Sequence, residues 1–221
     1  MSLSISEENY LKAIYKITGS EENRYAGTNE LSKILNLKAG STTEMIKKLH
    51  EKKLIEYKKY YGVRLSKKGN RIAIKTVRKH RLWEVFLVES LGYKWDEVHE
   101  IAEQMEHIGD DELTARLDKF LNFPKFDPHG DPIPNKEGAI ANNPNITLSE
   151  SPLNKKVKFI GVKTSDAEFL KYLSKIGFEI GNDITVVDTN PYDELIEIKI
   201  NKNKTTITVS NKTASNIYIK K

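Results

Sequence analysis

Glu103, Glu106 and His107 stand at i, i+3 and i+4, a spacing that lets three helical side chains converge on one point. They sit in EVHEIAEQMEHIGDDE, residues 97–112, which packs seven acidic residues and two histidines into sixteen positions. Carboxylate oxygens and imidazole nitrogens meeting in this way can hold a divalent cation, and the cation would relieve the repulsion among the acids. With no sulfur in the donor set, a fairly hard ion such as Mn²⁺ or Fe²⁺ suits it, and Zn²⁺ also accepts His/Glu ligands. His80 and Glu84, at i and i+4, offer a second pair on the preceding segment. A lone E-x-x-E-H is more often a solvated acidic face; the neighbouring His/Glu pair is what favours a metal.

Helices must present these groups. Val98, Ile101, Met105 and Ile108 form an apolar stripe that predicts a helix from about Trp95 to Ile108, with His99, Glu103, Glu106 and His107 on its polar side. A long helix is expected before it, about Lys67 to Ser90, and another after it, about Asp110 to Leu121. Nearer the N-terminus, SEENYLKAIYKI reads as a helix capped by Ser6 and stopped by Gly19, and TNELSKILNL as a second capped by Thr28. After a break at LKAG, STTEMIKKLHEKKLI reads as a third helix, and IEYKKYYGVRLSKKG as a β-hairpin turning near Tyr61-Gly62.

Helix, helix, tight turn, helix and basic hairpin make a winged helix-turn-helix, whose third helix enters the DNA major groove. Ser41, Thr42, Thr43, Glu44, Lys47 and Lys48 are read as its outward face, with Lys58, Lys59 and Arg64 of the wing on phosphates. Net charge is only +5, but residues 38–81 hold fifteen Lys/Arg against three Glu, whereas residues 82–138 hold fourteen Asp/Glu against five Lys/Arg. A basic block beside an acidic, histidine-bearing block predicts a polyanion for the first and a cation for the second.

The chain contains no cysteine, which excludes disulfides, thiolate metal sites and a cysteine nucleophile. No apolar run approaches the ~20 residues of a membrane span, so the expectation is a cytoplasmic protein without membrane contact. Six of the seven prolines fall between Pro124 and Pro152, which predicts an irregular arm or linker. Beyond it, VKFIGV, DITVVD, LIEIKI, TTITVS and NIYIK read as short strands around one helix, DAEFLKYLSKIG, a small β-barrel.

Taken together, SEENYLKAIY, LHEKKLIEY, RKHRLWEVFL, the E-x-x-E-H at 103–107 and HGDPIP at 129–134 resemble the DtxR/MntR family of metal-dependent transcriptional repressors. The likeness covers residues 5–140 well and the barrel more loosely. It implies a mainly α fold with β: a winged helix-turn-helix at 1–72, a helical metal-binding and dimerisation domain at 73–140, a linker at 141–152 and an SH3-like domain at 153–221. It also implies a homodimer on palindromic double-stranded operator DNA, activated by Mn²⁺ or Fe²⁺ at two sites per subunit. The primary site would draw on Glu103, Glu106 and His107, with His80 close by. Its N-terminal ligand position falls on Asn9, where the family usually carries Asp or Met. Glu103 stands where iron-type members have Cys, which favours manganese. An ancillary site would use His80, Glu84 and His99, or else Glu84, Asp127, His129 and Asp166, with Glu168 a further candidate.

Two other readings compete. One is a metal-independent winged-helix regulator whose acidic patch binds a protein. The other is a carboxylate/His metalloenzyme, disfavoured because di-iron bundles repeat their E-x-x-H motif and this chain holds one E-x-x-E-H.

Overall fold

The computed structural model describes residues 3–19, 24–140, 146–200 and 205–220, so part of the expected linker (141–145) lies outside the described residues. These fall into two compact units.

The first unit comprises Met1–His80, Met105–Asp110 and Pro134–Ala139. Helix α1 (Ile5–Thr18) is followed by α2 (Thr28–Ile34), α3 (Ala39–Glu51), the hairpin β1 (Ile55–Lys58) and β2 (Gly62–Leu65), and the start of α4 (Lys67–Glu89). Tyr10, Leu11, Ile14, Leu31, Ile46, Leu49, Leu54 and Val63 form its core. The cap of α1 is Ser4 and not Ser6, because Ser4 has Glu7 three residues on: Glu7 N–H donates to Ser4 Oγ and Ser4 N–H to Glu7 Oε2. Gly27, not Thr28, caps α2, and the break before α3 falls at residues 35–38, with Ala39 and Gly40 already helical. In the wing, Ile55 pairs with Leu65 and Lys58 with Gly62, and the turn carries Tyr60 at φ 70°. Gly62 has φ 113°, and a Cβ there would lie 2.2 Å from the Ala26 carbonyl oxygen. Only glycine lets residue 26 bridge to Val63 beside it.

The second unit comprises Arg81–Gln104, Asp111–Ile133 and Ile140–Lys221. Helix α5 runs from His99 to Met105, shorter than the expected helix: Trp95 to Val98 are turn, with Lys94 N–H donating to the Glu97 carboxylate. Helix α6 spans Asp111–Phe120, and its Leu117 packs with Leu82, Val85, Leu121 and Ile133. The proline-rich residues after Phe123 form an irregular arm braced by a Phe126–Pro132 bridge. Strands β3 (Ile146–Thr147), β4 (Lys156–Val162), β5 (Asp183–Asn190), β6 (Leu195–Ile200), β7 (Thr205–Ser210) and β8 (Ile217–Lys220) make one sheet ordered β3-β8-β4-β5-β6-β7. Helix α7 (Ala167–Lys175) and the short α8 (Asn211–Ala214) complete it. Phe159, Leu170, Leu173, Phe178, Ile184 and Ile198 fill its core. The sheet is SH3-like in content but open: among the described residues its outer strands β3 and β7 do not pair with each other.

The arm is fastened to β4 backbone to backbone. Val162 N–H donates to the His129 carbonyl at 2.8 Å, and a Cβ on Gly161 would sit 2.6 Å from that same oxygen. Gly161→Val should therefore cost about 3 kcal/mol or more, because the obstructing atoms are backbone and cannot rotate aside. Thermal unfolding followed by circular dichroism would show it; an unchanged midpoint would mean the arm yields freely.

Candidate metal centres and DNA face

The first unit brings Glu106, His107 and His80 together with residues of α1. Glu106 and His107 lie just past the end of α5, in a turn rather than on a continuing helix. Glu106 is fully buried. Its Oε2 is 2.7 Å from His80 Nδ1 and 2.5 Å from the ammonium of Lys12, while its Oε1 has no hydrogen-bond partner. Asn9 Oδ1 is another buried side-chain oxygen of this unit without a hydrogen-bond partner. His107 Nδ1 lies 2.6 Å from Glu8 Oε2. An N–H given to that carboxylate leaves the Nε2 lone pair on the other side of the ring, where Glu106 Oε1 is 3.7 Å away. A buried carboxylate oxygen and a buried amide oxygen without donors are costly. Beside the His107 lone pair, Glu106 Oε1 is a donor that fits a divalent cation, and Asn9 offers another buried oxygen on α1. The carboxylate–histidine arrangement supplied by Glu8 is the kind that orients a metal-ligating imidazole.

Glu103 lies on α5 in the second unit, where its Oε1 is 3.6 Å from His99 Nε2. His99 Nδ1 is in turn 3.1 Å from Glu84 Oε1.

In the second unit Glu84, Asp127 and His129 form a buried cluster whose ligand atoms all lie within 4.8 Å of one another. Helix α4 supplies Glu84 and the arm the other two. Asp127 Oδ1 accepts from the backbone N–H of His129 and of Asp131, which fixes the turn, and Arg81 Nε lies 3.5 Å from Oδ2. His129 Nε2 is 2.8 Å from the Trp95 carbonyl oxygen, so that nitrogen carries its proton and Nδ1 faces Glu84 Oε2 at 3.5 Å. Burial pushes the Asp127 carboxyl up to about 7, reinforced by Glu84 and Asp131 and opposed by His129 and Arg81. Burial would lower His129, but the Glu84 carboxylate, Asp127 and the Trp95 carbonyl outweigh it and hold the imidazole up at about 9. Asp166 is elsewhere occupied: it caps α7 by accepting from Phe169 N–H. Glu168 is exposed and 3.7 Å from Lys171.

On the expected DNA face, Ser41, Thr43, Glu44, Lys47, Lys48, Lys58 and Lys59 are exposed and Arg64 is half-buried. Thr42 is a correction: it is fully buried, accepting from the Tyr10 hydroxyl at 3.1 Å and donating to the Lys38 carbonyl, and cannot read a base. Lys48 and Lys52 both reach the buried Glu7, at 3.2 and 2.5 Å. Burial would raise Glu7, yet these ammonium groups and the Ser4 N–H hold it down at about 2. Arg64 pairs with Glu56, and Lys58 lies 4.1 Å over the Tyr61 ring.

Glu8 and Lys12 were not singled out by the sequence reading. The available signal was their spacing on α1: with Asn9, they occupy one helical face at i, i+1 and i+4.

Three family matches cover the chain in order. Residues 2–63 match the iron dependent repressor N-terminal DNA binding domain, 66–135 the iron dependent repressor metal binding and dimerisation domain, and 146–221 the FeoA domain. An uncharacterized HTH-type transcriptional regulator of Methanocaldococcus jannaschii is 40% identical over 119 residues, which span 54% of this chain and 94% of that protein. The iron-dependent repressor IdeR of Mycobacterium leprae is 28% identical over 203 residues, 86% of this chain and 87% of that one. Among solved structures, a manganese-dependent transcriptional repressor in complex with manganese superposes with a TM-score of 0.84 at 32% identity, covering 96% of this chain and 98% of that chain.

Proposed function

The chain belongs to the DtxR/MntR family of metal-dependent DNA-binding transcriptional repressors, which control metal homeostasis, and from that premise we propose that Mn²⁺ is its preferred activator, acting through two sites per subunit. The observation that carries this reading is the buried, donorless Glu106 Oε1 beside the His107 imidazole, with a second buried, donorless oxygen, Asn9 Oδ1, on α1. The first site would be held by Asn9, Glu106, His107 and His80, and the second by Glu84, Asp127 and His129. Both sets offer oxygen and nitrogen and no sulfur, which suits Mn²⁺ better than softer ions. The bound ion would supply charge neutralisation: it gives buried carboxylates a cation and so favours the arrangement that presses α1 onto the pocket.

The chain's own residues then relate the pocket to DNA. Helix α1 carries Glu8 and Lys12 to the pocket, and Glu7 and Tyr10 toward α3, which they hold through Lys48, Lys52 and Thr42. Order at the N-terminal turn of α1 is thus coupled to the placement of the recognition helix. Residues 1–72 would act as the DNA-binding domain and 73–140 as the metal-binding and dimerisation domain. Residues 153–221, joined through a 141–152 linker, would form the SH3-like domain. Exposed Phe120 and Phe123, at and after the end of α6, suit a two-fold homodimer interface, and two wings so related fit a palindromic operator in the cytoplasm. No helix among the described residues is long and apolar enough to cross a membrane. No residue is assigned a catalytic role.

Operator binding measured at one salt concentration with Mn²⁺, Fe²⁺, Zn²⁺ or chelator tests this. Mn²⁺ should give the tightest complex, and equal affinity in chelator and metal would refute the switch. Affinity should fall steeply with salt, and Lys47→Ala should reduce the slope of log K against log[salt] by about 1 if Lys47 neutralises one phosphate. An unchanged slope would move that lysine off the DNA.

A further inference from the structure

We infer that Lys12 is a tethered cation that stands in the first metal pocket when no metal is bound and thereby sets how much metal is needed to switch the protein. The inference rests on the first site proposed above. The Lys12 Nζ lies 2.5 Å from Glu106 Oε2 and 3.2 Å from His80 Nδ1, two groups offered there as ligands. Glu106 is wholly buried and the Lys12 side chain is 17% exposed, so solvent screens this pair weakly. Lys12 is one turn along α1 from Glu8, which holds His107, and three residues from Asn9. One helix therefore delivers the orienting carboxylate and a competing positive charge to the same place.

The ammonium has opposite effects on the two states. Without metal it compensates a buried carboxylate that would otherwise be a large penalty. With a divalent ion on Glu106, the same charge is left a few ångströms from a second cation and must swing away or be repelled. Both effects weaken apparent metal affinity, while the metal-free fold keeps its pocket closed. Lysine suits this role because its point charge sits on a flexible stem that can leave without rebuilding the helix.

The test uses the full chain, with Mn²⁺ titrated by electron paramagnetic resonance and metal-free melting measured in chelator. Lys12→Met and Lys12→Gln should tighten the first-site Mn²⁺ affinity roughly tenfold, a conservative figure for one like charge removed at this range. In chelator each variant should melt lower than the parent by roughly 5 °C. Adding Glu106→Gln to Lys12→Met should recover most of that loss, because charge and counter-charge leave together. Unchanged or weaker Mn²⁺ binding in both Lys12 variants would overturn the inference. Glu106→Gln alone separates this from the site reading. If it loses one Mn²⁺ while the Lys12 variants bind as the parent does, the site stands and the role of Lys12 falls. If it keeps parental Mn²⁺ binding, the site and the inference fall together.

Discussion

Replacing Glu106 by Gln together with His107 by Ala is expected to bring operator affinity in Mn²⁺ down to its level in chelator, abolishing the metal response. Glu106 is the group on which this rests, since its buried Oε1 lacks a donor and its Oε2 is shared among His80 and Lys12. Losing even an orienting partner of a ligand typically costs 10–100-fold in metal affinity. Losing a charged ligand and an imidazole together should therefore cost on the order of 1,000-fold or more. The amide at 106 keeps the side chain's shape, so the fold should survive. Low-salt, metal-independent DNA binding through Lys47, Lys58 and Lys59 should also remain. Gel-shift titrations in Mn²⁺ and in chelator decide the matter. A folded double variant that still tightens on its operator with Mn²⁺ would remove Glu106 and His107 from the switch.

Part of each candidate site is legible in the sequence, and the reason is spacing. Glu106 and His107 stand out because acids and histidines crowd one sixteen-residue stretch, and Asp127 and His129 because they interrupt a proline-rich arm. Glu8 and Lys12 do not stand out. A charged residue on an amphipathic helix is ordinarily solvated, and it is tertiary contacts, with His107 for Glu8 and Glu106 for Lys12, that set these two apart. Thr42 errs in the other direction. It follows Ser41 on a polar-looking face, yet the Tyr10 hydroxyl satisfies its oxygen and allows it to be buried. Glu103 has the right helical spacing for Glu106 and His107, although α5 itself stops at Met105.

The fold follows the same division. The alternation in β6, exposed and buried by turns, was readable as a half-buried strand, and so was the wing. Whether the C-terminal strands close on themselves is a matter of pairing partners, on which alternation is silent. The sheet ends at β3 and β7 instead. The start of α1 is set by Ser4, which with Glu7 three residues on satisfies the reciprocal cap that Ser6 cannot.

Metal affinity at the Glu84–Asp127–His129 cluster should rise with pH across the neutral range, and the metal-free protein should lose stability over the same interval. Both groups hold protons more tightly when folded. Asp127 moves from 3.8 to about 7, chiefly through burial beside Glu84, and His129 from 6.5 to about 9, where its carboxylate neighbours overcome burial. Between about pH 4 and 9 the folded chain therefore binds more protons than the unfolded one, and these groups' contribution to stability declines as pH climbs through that window. A divalent ion would be held by the unprotonated His129 imidazole and Asp127 carboxylate, so its binding would expel the protons they hold. Up to about two protons are displaced below pH 7 and about one between 7 and 9, which corresponds to roughly tenfold in affinity per proton per pH unit. Calorimetric Mn²⁺ titrations at pH 6.5, 7.5 and 8.5, in buffers of different protonation enthalpy, report affinity and proton release together. His129→Gln should flatten the upper limb, since the Trp95 carbonyl no longer positions a titrating ring. Second-site affinity that stays level from pH 6.5 to 8.5 would show that the cluster does not bind the ion through these atoms. Chelated and Mn²⁺-loaded melting temperatures should diverge as pH rises, because the proton lost from His129 removes a buried positive charge beside Glu84 and Asp127 that a bound metal would replace.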